Sequence, residues 1–257
     1  MKKIKLSYSH NEAVANILLD DGKGNVLDNT MMQDILACFQ LFKTNHNLKL
    51  ITFQGQGKHF SFGASVEEHT YQLAGKMLKT FHQIFIEIIE MQIPTLAKVS
   101  GQCLGGGMEL ALVCNFIFAD KTAKFGQPEI ILGVFPPPAS IILPEKIGLA
   151  RAEDILLTGK TIDAEEALKI GLLNAVYEDK NILDAEVDGW IEKYILPKSA
   201  SSLRFANGAA RVKFSHIISN FLNYLEQTYT QKLMETKDAN EGIQAFLEKR
   251  KPNWSNN

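Results

Sequence analysis

Three consecutive glycines stand directly before a predicted apolar helix in the stretch "GQCLGGGMELAL", residues 101–112. Glycine is entropically costly at a helix start, so this turn requires backbone that a side chain would obstruct. The start of a helix also presents unsatisfied N–H groups and the positive end of the helix dipole. We therefore expect this turn to approach a ligand oxygen that becomes negative during a reaction.

The turn does not match the usual phosphate-binding glycine motifs. A P-loop reads GxxxxGK[ST], and a dinucleotide-binding turn reads GxGxxG with an acidic residue about 20 positions later. Here Glu109 stands in the first turn of the predicted helix, three residues after Gly106, which we expect to be the N-cap. Glu109 fits either a capping role or a general acid or base beside an oxyanion hole.

A second glutamate stands in an apolar setting, in "KFGQPEIILGVFPPPAS" at residues 124–140. Glu129 follows a proline and precedes an apolar run, so we expect burial to raise its pKa. A neighbouring carboxylate would raise one of the two pKa values further, which leaves one group protonated and one ionised at neutral pH. Together, Glu109 and Glu129 predict acid–base chemistry.

The stretch "HFSFGASVEEH", residues 59–69, predicts a turn between a strand and a helix. The Ala64 N–H is a candidate second donor to the same oxygen, and an ordinary strand-to-helix turn is the alternative interpretation. His59 and His69 are interpreted as loop or capping residues. The serines of this stretch lack a GxSxG elbow, which disfavours a serine hydrolase.

Composition restricts the class of protein. The chain has 257 residues, 46% of them hydrophobic, which is enough for one large domain or for a domain with a small appendage. Its net charge of -2, without a long basic run, argues against a nucleic-acid partner. Cys38, Cys103 and Cys114 show no CxxC spacing, so we expect free thiols and no zinc site. No stretch predicts a signal peptide or a membrane span, and we expect a cytoplasmic protein without a membrane partner.

Strand and helix patterns alternate along most of the chain. Five runs predict regular structure: strands at 13–19, 48–54, 93–99 and 116–120, and a helix at 29–44. This order predicts an α/β fold of ββα units. The pattern breaks at 196–202, and 203–249 predicts helix with apolar positions that need a partner surface. We therefore divide the chain into a core that holds the site, residues 1–196, and a C-terminal helical region, residues 197–257.

Five stretches resemble the crotonase, or enoyl-CoA hydratase/isomerase, superfamily in order and spacing: "FSFGAS", "PTLAKVSGQCLGGGMELAL", "AKFGQPEIILG", "LLTGKTIDAEEALKIGLLNAV" and "DANEGIQAFLEKRKPNW". The resemblance implies a spiral of ββα units whose C-terminal helices pack in homotrimers, or in homohexamers built as dimers of trimers. It also implies an acyl-CoA substrate. No metal or other cofactor is implied, because coenzyme A enters with the substrate.

The resemblance assigns roles to four residues. Ala64 and Gly106 match the two N–H donors of the family's oxyanion hole. Glu109 and Glu129 match the two glutamates with which its hydratases hold water and deliver a proton. Retention of both glutamates favours hydration over the isomerase, hydrolase, decarboxylase and dehalogenase activities of relatives that lack one of them.

Two residues near the C-terminus match the family's contacts to coenzyme A. Phe246 and Lys249 correspond to its aromatic and basic contacts, which a neighbouring subunit supplies in some members. A solvated charge is the alternative interpretation for Lys249.

Two stretches depart from the common pattern of the family. Ser65 stands where most members have an acid, and "FPPPAS", from Phe135 to Ser140, replaces a glycine-rich loop. Three prolines would stiffen this loop and remove backbone donors. We expect Ser65, Phe135, Pro137 and Ser140 to shape the acyl pocket differently from that of a linear-chain hydratase.

"FSFGASVEEH" together with "GVFPPPAS" resembles the members that hydrate cyclohexa-1,5-diene-1-carbonyl-CoA in anaerobic aromatic degradation. The expected product is 6-hydroxycyclohex-1-ene-1-carbonyl-CoA. The alternatives are a hydratase of linear 2-enoyl-CoA in fatty-acid β-oxidation, an enoyl-CoA double-bond isomerase, and a non-catalytic relative that binds CoA or RNA. The absence of a basic stripe argues against RNA, and the two glutamates argue against an inactive site.

Overall fold

Short apolar runs form nine strands and amphipathic stretches form ten helices, in a computed structural model that describes all 257 residues. The strands are β1 (Ile4–Ser9), β2 (Val14–Leu19), β3 (Leu50–Gly55), β4 (Thr95–Val99), β5 (Gln102–Leu104), β6 (Phe116–Asp120), β7 (Lys124–Gly126), β8 (Thr161–Asp163) and β9 (Ala175–Tyr177). The helices are α1 (Asn29–Phe42), α2 (Ala74–Met91), α3 (Gly106–Val113), α4 (Pro137–Ile147), α5 (Leu149–Thr158), α6 (Ala164–Lys169), α7 (Lys180–Tyr194), α8 (Ala200–Ala210), α9 (Val212–Gln231) and α10 (Lys237–Leu247). Short 3₁₀ turns span Val66–His69, Pro128–Leu132 and Leu233–Glu235.

The strands form two sheets. The larger sheet has the order β1-β2-β3-β4-β6-β9, and the smaller has the order β5-β7-β8. In the larger sheet β1 and β2 are antiparallel, and every other neighbouring pair is parallel. Parallel neighbours need crossover connections, which the intervening helices supply. The predicted α/β architecture is therefore confirmed.

The elements predicted from the sequence are all present. The four predicted strands correspond to β2, β3, β4 and β6, and the predicted helix corresponds to α1. This helix starts where the sequence offers a cap, because the Asp28 carboxylate accepts a hydrogen bond from the Met31 N–H at 3.0 Å.

One face of the larger sheet and the C-terminal helices share a single hydrophobic core. Ile17 and Phe53 from the strands belong to it, and so do Ile218, Leu222 and Ile243 from α9 and α10. The opposite face of the sheet packs separately against α7. The C-terminal helical region therefore buries part of its apolar surface against the same core as the first 196 residues.

The helical segment predicted at 203–249 consists of three helices in the structure. It begins earlier than the sequence pattern suggested, because Ser199 caps α8 by accepting a hydrogen bond from the Ser202 N–H at 3.4 Å. Thr236 caps α10 in the same way, with the Ala239 N–H at 3.2 Å. The break predicted around 196–202 is thus a cap rather than a linker.

Several large apolar side chains of this region and of α5 remain exposed. They are Leu149, Leu157, Phe205, Val212, Phe221 and Tyr224. None of the helices combines the length and the apolar character that crossing a membrane would require.

Candidate active site

The small sheet brings three segments of the chain to one edge. Ser61 pairs in parallel with Cys103, and Cys103 pairs in parallel with Phe125 of β7. Parallel segments end on the same side, so the residues that follow each segment lie together. Ala64, Gly106 and Glu129 come three or four residues after these paired positions. The three residues are therefore brought together by strand register.

The glycine turn begins α3, but its cap lies one residue before the position expected from the sequence. Gly105, not Gly106, is the N-cap, with φ +48° and ψ -128°. The prediction of Gly106 as N-cap was wrong because the turn needs a positive φ, which only the preceding glycine adopts. A Cβ on Gly105 would lie 2.5 Å from Glu129 Oε1. The glycine therefore permits both the turn and the approach of the carboxylate.

Two N–H groups converge beside this turn. A Cβ on Gly106 would lie 3.0 Å from the Ala64 nitrogen, and one on Gly63 would lie 3.3 Å from the Gly106 nitrogen. Neither the Ala64 N–H nor the Gly106 N–H has a protein acceptor. A bridge to Leu27 holds the segment in place, because the Leu27 N–H donates to the Gly63 carbonyl at 2.9 Å. Two adjacent free donors are an arrangement that can bind a ligand oxygen on which negative charge develops.

The two donors face a cavity of about 70 Å³. This is several times the space that a single water molecule needs. Ala64, Gly106, Glu109 and Glu129 all line it. Most of the remaining wall is apolar and consists of Phe62, Val66, Met77, Leu78, Phe81, Leu132, Val134, Phe135, Pro136 and Pro137.

Glu109 lies buried in the first turn of α3. Burial raises its pKa well above the ordinary value, and the charge of Glu129 raises it further. Its Oε1 accepts a hydrogen bond from the Ala139 N–H at 2.9 Å, which opposes that rise. Because Ala139 lies in the first turn of α4, the positive end of that helix faces Glu109.

Glu129 lies in the 3₁₀ turn that follows β7. Burial raises its pKa from 4.5 to about 8. The fully buried Gln127 lies beside it, and with its amide nitrogen turned toward Glu129 it donates to Oε2 at 3.0 Å and to Oε1 at 3.3 Å. The buried Glu109 and the partly buried Glu129 share one cavity, which disfavours the doubly ionised state, so the pair retains a proton at neutral pH.

Two of the four residues expected to shape the acyl pocket line the cavity, namely Phe135 and Pro137. The Ser65 hydroxyl donates to the Glu67 carboxylate at 2.7 Å. The Ser140 hydroxyl donates at 2.7 Å to the backbone carbonyl four residues earlier. Neither serine is part of the cavity wall.

The triple-proline segment is a helix start rather than a stiff loop. Pro136 is the N-cap of α4, and Pro137 and Pro138 occupy its first two positions. A missing N–H is harmless there, and the fixed φ of proline suits a helix. The loop predicted at this segment was therefore wrong. The first backbone donor after the prolines is Ala139, which binds Glu109.

The two residues predicted to contact coenzyme A lie outside the cavity. Phe246 is 54% exposed at the end of α10, and Lys249 follows it on the surface with φ +56°. Their contact with coenzyme A stays a prediction. No group of three or more His, Cys, Asp or Glu side chains is placed to hold a metal ion.

The cavity wall includes residues that were not predicted from the sequence, among them His69, Phe81 and Tyr229. His69, interpreted as a loop or capping residue, places its Nδ1 2.7 Å from the Ser65 carbonyl, and burial lowers its pKa. Phe81 on α2 and Tyr229 on α9 belong to apolar helix faces. Helical periodicity identifies such a face but not the part of it that borders a cavity.

The raised pKa of Glu129 predicts a pH-dependent stability. Folding raises this pKa from 4.5 to about 8, so the folded state binds the proton more tightly than the unfolded chain. The contribution of this group is therefore present at low pH and is lost as the pH rises through that window. In wild type, the free energy of unfolding should fall as the pH rises through this window. In Glu129→Gln this fall should be smaller, as measured by urea unfolding at several pH values.

A matched substitution controls for the loss of a carboxyl group. Glu153→Gln changes an exposed glutamate on α5 and should leave the pH dependence of wild type unchanged. Parallel curves for wild type and Glu129→Gln would contradict the burial of a high-pKa carboxyl at position 129.

Comparisons with known proteins identify the family of this chain. The enoyl-CoA hydratase/isomerase family model matches residues 9–257. A cyclohexa-1,5-dienecarbonyl-CoA hydratase of Thauera aromatica is 40% identical over 253 residues, covering 98% of this chain and 97% of that protein. A Rhizobium meliloti protein named "Probable enoyl-CoA hydratase" is 35% identical over 229 residues, 88% of each chain.

Solved structures show the same fold. An enoyl-CoA hydratase of Bacillus halodurans superposes with a TM-score of 0.87 at 21% identity, covering 95% of this chain and 99% of that one. One of Bacillus anthracis superposes with a TM-score of 0.78 at 26% identity, covering 99% and 100%. The α/β spiral expected from the sequence is thereby confirmed, and the chain belongs to the enoyl-CoA hydratase/isomerase family.

Proposed function

We propose that this protein adds water to cyclohexa-1,5-diene-1-carbonyl-CoA and forms 6-hydroxycyclohex-1-ene-1-carbonyl-CoA. The observation that carries the proposal is the cavity whose wall combines two carboxyl groups of raised pKa, Glu109 and Glu129, with two free N–H donors. Family membership supports the coarser statement, a hydro-lyase that acts on an unsaturated acyl-CoA.

The thioester oxygen is held by the N–H groups of Ala64 and Gly106. These donors strengthen their hydrogen bonds as negative charge develops on the oxygen during addition. A single donor of this kind is worth about 3 to 4 kcal/mol in the transition state. The charge is thus stabilised by fixed backbone groups.

Water enters between the two carboxyl groups. Its oxygen forms a bond to carbon 2 of the ring, β to the thioester carbonyl, while one of its protons passes to an ionised carboxylate. The other carboxyl group gives a proton to carbon 5, and the remaining double bond then joins carbons 6 and 1. Burial raises the pKa of both groups, so one carboxyl group of the pair acts as the base while the other carries the proton.

Two observations support the ring substrate. The Thauera aromatica relative with this substrate in its name aligns with nearly the whole chain. The cavity is also small, and aromatic and proline side chains form much of its wall, including Phe81, Phe135 and Pro137. Such walls suit a flat, compact acyl group, whereas a long linear chain would need more space.

A linear 2-enoyl-CoA is the second candidate substrate. It is favoured by the Rhizobium meliloti relative and uses the same carboxyl pair and the same donors. The reaction in either case needs no cofactor besides the coenzyme A of the substrate, because it consists of proton transfers and carbonyl polarisation. An isomerase would require proton transfer without addition of water.

We also propose that the protein acts as a homotrimer or as a dimer of trimers. The exposed apolar side chains of the C-terminal region, including Phe205, Val212 and Tyr224, support a subunit interface there. Phe246 and Lys249 lie on the surface of the same region, where they are accessible to a bound coenzyme A.

Substitution of the two glutamates tests the proposed hydration mechanism. We expect Glu109→Gln and Glu129→Gln each to lower kcat for hydration by about 100-fold or more, because each removes a proton-transfer group. Binding of a saturated acyl-CoA should change by only a few-fold, since the N–H donors are retained. Glu153→Gln is the surface control. Activity within a few-fold of wild type for both site variants would contradict the proposed mechanism.

Another substitution tests the close approach of Gly105 to Glu129. We expect Gly105→Ala to reduce kcat by about 100-fold, because the new Cβ would displace the carboxylate that lies 2.5 Å away. Gly57→Ala is the matched control, since Gly57 also has a positive φ but no heavy atom near the position of a Cβ. Equal activities of the two variants would contradict a specific effect of displacing Glu129.

A further inference from the structure

Tyr229 places a polar group without a partner in the candidate active site. The residue is 1% exposed, and its hydroxyl makes no hydrogen bond to the protein. Its ring lines the cavity and packs edge-on against Phe135, with the centroids 5.4 Å apart. A buried hydroxyl without a partner is unfavourable, so a molecule in the cavity is its available acceptor.

Several other donors around the cavity have assigned partners. The N–H groups of Ala64 and Gly106 serve the thioester oxygen. The prolines of the wall have no N–H, and the Ala139 N–H binds Glu109. His69 Nδ1 bonds to the Ser65 carbonyl, which leaves the other nitrogen of a neutral ring as an acceptor. Tyr229 is therefore the remaining side-chain donor of the cavity besides the proton that the carboxyl pair retains.

The added water is the acceptor that fits this donor. A hydrocarbon acyl group offers no polar atom beyond the thioester, whose oxygen is already held. The only other oxygen of the proposed reaction lies between the two carboxyl groups. Burial raises the pKa of the Tyr229 phenol, and negative charge on Glu129 or Glu109 raises it further. The phenol thus stays neutral and available to donate.

We propose that the Tyr229 O–H donates a hydrogen bond to the oxygen of the water that is added, and to the same oxygen when it leaves in the reverse dehydration. One lone pair of the water then accepts from Tyr229, and the other forms the bond to carbon. One water proton passes to the carboxylate base, and Tyr229 transfers none. This inference rests on the proposed function.

The helix that carries Tyr229 is fixed beside the cavity. Glu226 lies one turn before Tyr229 on α9. Its Oε2 is hydrogen-bonded to Nδ1 of His82 on α2, at 2.7 Å. The neighbouring α2 residue Phe81 lines the cavity. The two helices therefore hold the phenol in a defined place relative to the carboxyl pair.

Tyr229→Phe tests the inference, because it removes only the hydroxyl. We expect kcat for hydration to fall about 10- to 100-fold while KM changes by less than about 3-fold. The product-inhibition constant of 6-hydroxycyclohex-1-ene-1-carbonyl-CoA should rise about 10-fold, and the inhibition constant of cyclohexane-1-carbonyl-CoA, which lacks the hydroxyl, should not change. The melting temperature should equal or exceed that of wild type, since an unpartnered buried hydroxyl is lost.

The control is Tyr224→Phe, which changes an exposed tyrosine of the same helix and should leave all these constants unchanged. If wild type hydrates its substrate but Tyr229→Phe keeps both kcat and the product-inhibition constant, the inference is wrong while the proposed function stands. If the two inhibition constants rise together, Tyr229 has only a packing role and the inference is also wrong. If wild type hydrates neither the ring diene nor crotonyl-CoA, the proposed function fails, and the inference fails with it.

Discussion

The site depends on a close contact that only glycine permits, between the turn before α3 and the carboxylate of Glu129. Gly105 has a positive φ, and the Glu129 carboxylate occupies the place where a side chain at Gly105 would begin. The next residue, Gly106, directs its N–H toward the same cavity as Ala64. Larger residues at these positions would separate the donors from the acids. The register of the small sheet sets this contact, because β5 and β7 run in parallel and end together.

The helix that begins at this turn is held at its other end by cations. Lys146 donates to the Cys114 carbonyl at 2.8 Å, and Arg211 donates to the Val113 carbonyl at 2.7 Å. Positive charge at a helix C-terminus offsets the dipole and satisfies its last carbonyl groups. Lys146 belongs to α4, and Arg211 directly precedes α9. The helix whose Ala139 N–H binds Glu109 and the helix that carries Tyr229 are therefore both tied to the end of α3.

The sequence predicted that Ala64, Gly106, Glu109 and Glu129 meet at one site, but it predicted the local backbone geometry less well. Alternating strands and helices, the apolar setting of Glu129 and the glycine turn were visible in residue types and spacing. The cap at Gly105 was missed because three adjacent glycines do not show which of them adopts a positive φ. The proline segment was read as a loop, although prolines also suit the first turn of a helix. Tyr229 could not be found, because it lies about 100 residues after the glutamates and only tertiary packing brings it to them.

The most direct test of the central claim compares hydration of cyclohexa-1,5-diene-1-carbonyl-CoA and crotonyl-CoA in water labelled with oxygen-18, with products analysed by mass. The account predicts a strong preference for the ring diene and the gain of one labelled oxygen in its product. Preference for crotonyl-CoA would retain the two-carboxyl mechanism and contradict the ring substrate. Conversion without uptake of the label would contradict hydration itself.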